Sequence, residues 1–332
     1  MNVLSLFDGI SCGRVALERA GIEVSNYVAY EIDGYAKAIS RKNHPGIIHR
    51  NNVLHPSVNF KDYKNFDMVM GGSPCVFWSI SKTKKRELDK NGMGWKLFLA
   101  FLNAVKAINP IYYFYENVWS MPKNIKKHIS EELGVEPVMI DSSLVSAQSR
   151  KRLYWTNIGM VNGIQTLRQP EDKGILLKDI LNGGSSFTDK CHCITSSHAG
   201  ATFEQTIKYR KRTIFAEPIR TPILIGIVGK GGRGERIHSA LGKSVSLCAS
   251  NGGGAAKTGL YKIDLPDGDY AIRKLTPLEA ELCQTLPPHY TAWGIAPDGA
   301  YARISDQQRY KCIGNGWTVD VIAHFFRGMG QS

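Results

Sequence analysis

Short apolar runs, each ending in glycine or an acid and followed by helical spacing, recur through the first part of the chain. They constrain its fold more than any other feature. Val3-Leu4-Ser5-Leu6-Phe7 is one such run; Asp8-Gly9-Ile10-Ser11-Cys12-Gly13 follows, and Val15, Ala16, Leu17 and Ala20 then keep a helical period up to Gly21. Tyr27-Val28-Ala29-Tyr30 ends in Glu31-Ile32-Asp33, and Tyr35, Ala36, Ala38 and Ile39 begin the next helix. Residues 66–70 form another strand, 95–108 an apolar helix, and 111–115 a strand ending in Glu116-Asn117-Val118. A strand covered on both faces reads as an unbroken apolar run. Repeated strand–helix units predict an α/β fold with a doubly wound, mostly parallel sheet, and ligands at the carboxyl ends of its strands.

Beyond about residue 174 the pattern changes. Glycine becomes dense at Gly183-Gly184, at 229–234 and at Gly252-Gly253-Gly254, and helical periodicity fades. Lys208, Arg210, Lys211, Arg212, Arg220, Lys230, Arg233 and Arg236 cluster there. Glycine permits close approach of backbone to a ligand, and interleaved basic residues suit nucleic acid. A smaller, loop-rich, β-containing domain is expected over 174–302, including a hinge. The first domain spans 1–173, and the apolar spacing near the C-terminus lets 303–332 complete it.

With 332 residues the chain is long enough for a large core plus a smaller unit, and 43% hydrophobic content argues against disorder. No uncharged apolar run is long enough to cross a membrane, and the first residues lack a basic leader, so a cytoplasmic protein is expected. Seven scattered cysteines do not suggest a disulfide framework, and Cys191, His192, Cys193 and His198 lack a zinc spacing, so no metal is expected. A net charge of +13 fits a polyanionic partner.

The chemistry concentrates at strand ends. Gly71-Gly72-Ser73-Pro74-Cys75 turns sharply out of its strand, and Pro74 stiffens the turn just before the sulfur. A cysteine held there is a candidate nucleophile, although many cysteines are merely small buried hydrophobes. Glu116, on a neighbouring strand end, is a candidate proton donor to the same crevice. Gln148, Arg150 and Arg152 alternate before Leu153-Tyr154-Trp155, which on a strand puts all three on one face. The turn 7–13 can bring backbone N–H groups against a nucleotide-like ligand, and Glu31 can bind ribose hydroxyls. The loop 79–94 carries Lys82, Lys84, Lys85 and Arg86 between Ser79, Gly92 and Gly94, as a mobile basic lid would.

Together and in order, these pieces resemble the DNA (cytosine-5)-methyltransferases over nearly the whole chain. Phe7-Asp8-Gly9 is similar to the first S-adenosylmethionine motif in the form found in vertebrate de novo methyltransferases. Gly72-Ser73-Pro74-Cys75 resembles the catalytic loop, Glu116-Asn117-Val118 the ENV motif, and Gln148-Ser149-Arg150-Lys151-Arg152 the Gln-x-Arg-x-Arg motif. Arg273-Lys274-Leu275-Thr276-Pro277 with Glu279 resembles the ninth motif, and the segment 310–316 the last. The segments 229–237 and 252–259 resemble the target-recognition region of a bacterial family member that methylates within GCGC. There are departures: Val76 stands where the family commonly has Gln, Asn52 where an acid reads the adenine, and Arg233 where the GCGC reader has Gln.

The resemblance implies S-adenosylmethionine as cofactor, held by Phe7, Asp8, Gly9, Ile10, Ser11, Cys12, Gly13, Glu31, Ile32, Asn52, Val53, Pro74, Asn315, Gly316 and Trp317. It implies double-stranded DNA as partner, contacted by Ser79, Ser81, Lys82, Lys84, Gln148, Arg233, Arg236, Ser246, Leu247, Gly253 and Gly254. It implies a cytosine flipped out of the duplex, addition of Cys75 to C6, a protonated Glu116 at N3, Arg152 at the base oxygen and Arg150 on the phosphate or the loop. A bacterial or phage enzyme, monomeric, with a cognate restriction endonuclease as a further partner, is the corresponding expectation. The rival readings are an amino-group methyltransferase, faintly suggested by Asn109-Pro110-Ile111-Tyr112, a cytosine-5 enzyme acting on RNA, and a DNA-binding protein without activity.

Overall fold

In the computed structural model, residues 1–79, 86–181 and 275–330 are described, together with 185–186, 189–191, 193–194, 215–218, 224–227, 236–239, 260–262 and 270–273. The apolar runs of the first part become strands of one sheet: β1 Asn2–Leu6, β2 Asn26–Tyr30, β3 Ile48–Arg50, β4 Met68–Gly71, β5 Tyr112–Val118, β6 Val138–Asp141 and β7 Lys151–Thr156. The 7-stranded order is β3-β2-β1-β4-β5-β7-β6, and only β7 runs against the rest. This is a doubly wound, mostly parallel α/β sheet, as the strand–helix units predicted. The order reverses between β1 and β4, which opens a crevice at their carboxyl ends.

Strand alternation divides the core between the two faces of the sheet. Val3, Tyr27, Ala29, Met68, Met70, Phe114 and Tyr154 point to one face, under α1 Cys12–Arg19 and α2 Gly34–Asn43. Leu4, Leu6, Val28, Tyr30, Val69, Tyr115, Leu153 and Trp155 point to the other, under α3 Met93–Ile108 and α4 Lys123–Leu133. Near the C-terminus, α5 Pro277–Cys283, α6 Asp306–Asn315 and α7 Val319–Phe326 follow, and α7 lies against α1. Phe325 and Phe326 on α7 are buried against Phe114, with ring centroids 5.3 and 5.4 Å away. Deleting a buried ring of this kind costs about 3–5 kcal/mol.

The Thr276-Pro277…Glu279 sequence has a local reason. Thr276 accepts the Glu279 N–H at 3.2 Å, the Glu279 carboxylate accepts the Thr276 N–H at 2.8 Å, and Pro277 opens the helix where no donor is needed. Between 185 and 273 the described residues are short strands in two 3-stranded sheets: Ser185–Ser186, Phe215–Pro218 and Tyr270–Arg273, and Leu224–Ile227, Arg236–Ser239 and Leu260–Lys262.

The strand expected to carry Gln148, Arg150 and Arg152 on one face begins only at Lys151. Gln148 and Arg150 precede it in irregular backbone, so the alternation argument does not reach them.

Candidate active site

The turn out of β4 is built from residues without bulk. A Cβ on Gly71 would lie 2.8 Å from the Leu6 carbonyl, and one on Gly72 would lie 2.8 Å from Glu116 Oε2 and 3.0 Å from Trp317 Nε1. Neighbouring β5 pins the next residues. Ser73 Oγ and Tyr115 Oη are 2.6 Å apart, and Asn117 Nδ2 donates to the Ser73 carbonyl at 3.2 Å. Pro74, at φ −50°, caps a short 3₁₀ turn, Cys75–Phe77, and the N–H groups of Trp78 and Ser79 donate to the Cys75 carbonyl at 3.1 and 2.9 Å. Cys75 is therefore held on a rigid, half-buried turn.

Glu116, at the end of β5, is buried and uses both carboxylate oxygens. Arg152 Nε lies 3.0 Å from Oε1, and Trp317 Nε1 donates to Oε2 at 3.0 Å. The antiparallel register of β5 with β7 brings these side chains together, since Glu116 pairs with Tyr154 and Val118 with Arg152. Burial pushes the Cys75 thiol up, Arg152 pulls it down, and Glu116 pushes it up. Burial works against the charge of Arg152, but Cys193, Glu116 and Cys75 outweigh it and raise the guanidinium well above its ordinary value.

Gly72→Ala follows as a specific test. Its methyl group meets the Glu116 carboxylate and the Trp317 ring nitrogen at once. Overpacking of this kind costs about 1–3 kcal/mol, and here it acts on the crevice itself. The turnover rate is expected to fall about tenfold or more while the melting temperature drops only a few degrees. A variant with unchanged turnover in a steady-state methyl-transfer assay would show that the carboxylate has room to move.

The other side of the crevice is the turn after β1. Phe7, Gly9 and Ser11 adopt left-handed backbone, with φ of 59°, 61° and 62°. Two ordinary residues in that region within one turn is a strained arrangement of the kind found at ligand sites. Space is open in front of Gly9, with no atom within 4 Å of where its Cβ would be. Glu31 ties the turn to β2: Oε2 accepts the Gly9 N–H at 2.8 Å, and Oε1 accepts the N–H groups of Ile32 and Asp33 at 2.7 Å each. Beside it Ile32 is 73% exposed, and Asn52 is exposed with its side chain accepting from Leu54 N–H at 2.9 Å. An open glycine turn, a strand-end acid and an exposed apolar side chain together leave room and polar atoms for a nucleoside-like ligand.

Several expected contacts lie elsewhere. Gln148 is 0% exposed; Nε2 donates to the Cys283 carbonyl at 3.1 Å and to Gln284 Oε1 at 3.2 Å, while Oε1 accepts the Ile194 N–H at 2.7 Å. It joins the approach of β7 to the end of α5. Arg150 is buried, and its guanidinium donates to the carbonyls of Ile194, Gly314 and Gly316 at 3.0, 3.2 and 3.0 Å. It braces the loop after α6 rather than presenting a charge to phosphate.

Within the first turn, Ile10 and Cys12 are buried in the core, and a Cβ on Gly13 would lie 2.5 Å from Met70 Cε. Asp8 accepts from Ser11 Oγ at 2.5 Å and Tyr27 Oη at 2.7 Å, and burial pushes its carboxyl up to about 6. These four residues shape the turn from within. Val53 is buried, Pro74 and Asn315 are exposed, and Gly316 packs under the first turn, where a Cβ would meet Cys12 Sγ at 3.0 Å.

The basic loop is partly described. Arg86 Nη2 donates to the Ser120 carbonyl at 2.5 Å, and the Glu87 carboxylate accepts the N–H groups of Met93 and Gly94 at 2.9 and 2.8 Å, capping α3. The returning limb of the loop is thus anchored. Ser81, Lys82, Lys84, Arg233, Ser246, Leu247, Gly253 and Gly254 lie outside the described residues, and Arg236 opens the short strand Arg236–Ser239. Sequence reasoning missed the Tyr115–Ser73–Asn117 brace and the nearness of Cys193 to the arginines. The first has a signal, since Tyr115 and Asn117 flank Glu116; the second has none, because it joins segments distant in sequence.

The comparisons with known proteins agree with this geometry. The model of the C-5 cytosine-specific DNA methylase family matches residues 1–331. The type II methyltransferase M.HhaI of Haemophilus parahaemolyticus is 27% identical over 348 aligned positions, covering 100% of this chain and 95% of its own length. The orphan methyltransferase M.Rho11sI of Bacillus phage rho11s is 23% identical over 80% of this chain, which spans 61% of that relative. Among solved structures, the Entamoeba histolytica methyltransferase EhMeth superposes with a TM-score of 0.65 at 17% identity, covering 99% of this chain and 97% of its own, which shows a shared fold. A family match over nearly the whole length, joined to a strand-end cysteine beside a carboxylate–guanidinium pair, leaves one conclusion: the chain belongs to the C-5 cytosine-specific DNA methylase family, and is a DNA cytosine methyltransferase whose cofactor is S-adenosylmethionine.

Proposed function

We propose that this enzyme methylates C5 of a cytosine flipped out of a short GC-rich duplex site, through a covalent bond between Cys75 and C6. The observation that carries the reading is the cluster of Glu116, Arg152 and Trp317 beside the pinned Cys75 turn, at the ends of β4 and β5 and the start of β7. A base stacked in a duplex cannot bring C6 to a sulfur held in such a crevice, so the nucleotide has to leave the helix.

C5 of cytosine is a weak nucleophile, and adding sulfur at C6 makes it enamine-like. Only the Cys75 thiolate attacks. Its electron pair forms the S–C6 bond, and negative charge spreads toward N3 and the base oxygen. Glu116, which pairs with Arg152 while no base is bound, takes up a proton as it meets N3 and donates it there, and Arg152 stands by the base oxygen. S-adenosylmethionine, held by the turn around Gly9, by Glu31 and by Ile32, supplies the methyl group. Water then takes the C5 proton, the freed electron pair restores the C5–C6 double bond, and the S–C6 bond breaks with its electrons returning to Cys75 as thiolate. A monomeric enzyme with a cognate restriction endonuclease belongs to the same reading.

Target choice rests on the recognition segment. Arg236 is proposed to bond O6 and N7 of a guanine next to the target, a contact worth about 1–3 kcal/mol of discrimination, and Arg233 to enter the duplex near the vacated position. GCGC is the site this reading favours. Bisulfite sequencing of a methylated random duplex library tests it. Wild-type methylation is expected at GC-rich sites, and Arg236→Ala is expected to relax the preference beside the target about tenfold. Methylation centred on AT-rich sites, or an Arg236→Ala profile identical to wild type, would contradict the assignment.

A further inference from the structure

Cys193 lies among the reacting groups, although the chemistry above does not use it. Its sulfur is 3.2 Å from Nη1 of Arg150 and 3.9 Å from Nη2 of Arg152. The backbone around it is tied to the approach of β7: Cys191 N–H donates to the Ala147 carbonyl at 2.8 Å, Ser149 N–H to the Cys191 carbonyl at 3.0 Å, and Ile194 N–H to Gln148 Oε1 at 2.7 Å. Arg150 is fixed in turn by the carbonyls of Ile194, Gly314 and Gly316. The sulfur is placed by this network, not left there by a loose side chain.

We propose that Cys193 is a positioning residue for methyl transfer: its sulfur orients the guanidinium groups of Arg150 and Arg152 and competes with Cys75 for their positive charge. The proposal rests on the reading of Cys75 as the nucleophile.

Among the described residues, Arg150 and Arg152 face the sulfur from the approach to β7 and from β7 itself and Cys75 from the turn after β4, while Glu116 on β5 acts on Arg152 and Cys75. The Glu116 carboxylate offsets one guanidinium through the 3.0 Å ion pair. Among the described residues one positive charge is then left facing two sulfurs, which compete for it. Burial favours the neutral Cys193 thiol, but Arg150 and Arg152 outweigh burial and lower it, whereas burial holds the Cys75 thiol up despite Arg152. A like charge beside Cys75 makes its thiolate harder to form. Removing the Cys193 anion therefore lowers the pH at which Cys75 ionises.

The test is alkylation of the intact, full-length enzyme by iodoacetamide across about pH 6 to pH 10, read at each cysteine by peptide mass spectrometry. In Cys193→Ser the Cys75 midpoint is expected to fall by about one pH unit, and the acid limb of kcat/KM for methyl transfer moves with it. Cys193→Asp puts an anion back and is expected to return the midpoint to its wild-type position, which a purely steric role would not do. A Cys75 midpoint unchanged or raised in folded Cys193→Ser overturns the proposal. Should that variant not fold, the wild type decides: Cys193 is expected to show the lower midpoint of the two, and the reverse order overturns the proposal. Failure of the nucleophile reading looks different, since Cys75→Ser would then keep its transfer activity while the alkylation midpoints stand.

Discussion

Cys75→Ser is expected to lower methyl transfer by about a thousandfold or more, equivalent to about 4 kcal/mol of transition-state stabilisation, while DNA affinity stays within about threefold. A serine hydroxyl at its ordinary pKa is almost never ionised at neutral pH. The turn itself should survive, because Pro74, Ser73, Tyr115 and Asn117 hold it without the sulfur. Transfer of label from S-adenosylmethionine to duplex DNA, alongside a gel-shift titration, measures both. Full transfer by purified Cys75→Ser would remove the covalent mechanism.

Glu116→Gln should produce the second large effect. The amide keeps the shape and can still accept from Trp317 Nε1, but it loses the charge that pairs with Arg152 at 3.0 Å. Leaving a buried guanidinium without its partner destabilises by about 3 kcal/mol. Removing a group that answers charge developing on the base costs about 10²–10³-fold in rate. The rate loss is therefore expected to persist at temperatures where the variant is fully folded. Single-turnover kinetics with a parallel urea titration separate the two effects. A variant that unfolds earlier but turns over at the wild-type rate would restrict Glu116 to holding Arg152.

The parts of this architecture that can be read along the chain are those where a local pattern reports a buried environment. β1, β2, β4 and β5 are covered on both faces, so each appears as an apolar run, and the residues just past them, Phe7 to Gly9, Glu31, Cys75 and Glu116, fall where strand ends meet the crevice. β3, an edge strand of Ile48, His49 and Arg50, carries no such run, and the reversed β7 gives no sign of its direction. The spacing of Gln148, Arg150 and Arg152 mimics a strand, but the strand starts at Lys151. The first two side chains were therefore free to turn inward to the carbonyls of Cys283, Ile194, Gly314 and Gly316. Trp317 could be placed near the cofactor from its motif, but its bond to Glu116 depends on how α6 ends, which no pattern near Trp317 encodes.

The covalent step can be tested most directly with a duplex carrying 5-fluorocytosine at the target position, incubated with the enzyme and S-adenosylmethionine. Fluorine cannot leave C5 as a proton does, so the sulfur–C6 bond persists. The account predicts a denaturation-stable enzyme–DNA adduct whose cross-linked peptide contains Cys75, and none with Cys75→Ser. An enzyme that methylates ordinary cytosine at C5 but forms no such adduct, or forms it through another residue, would contradict it.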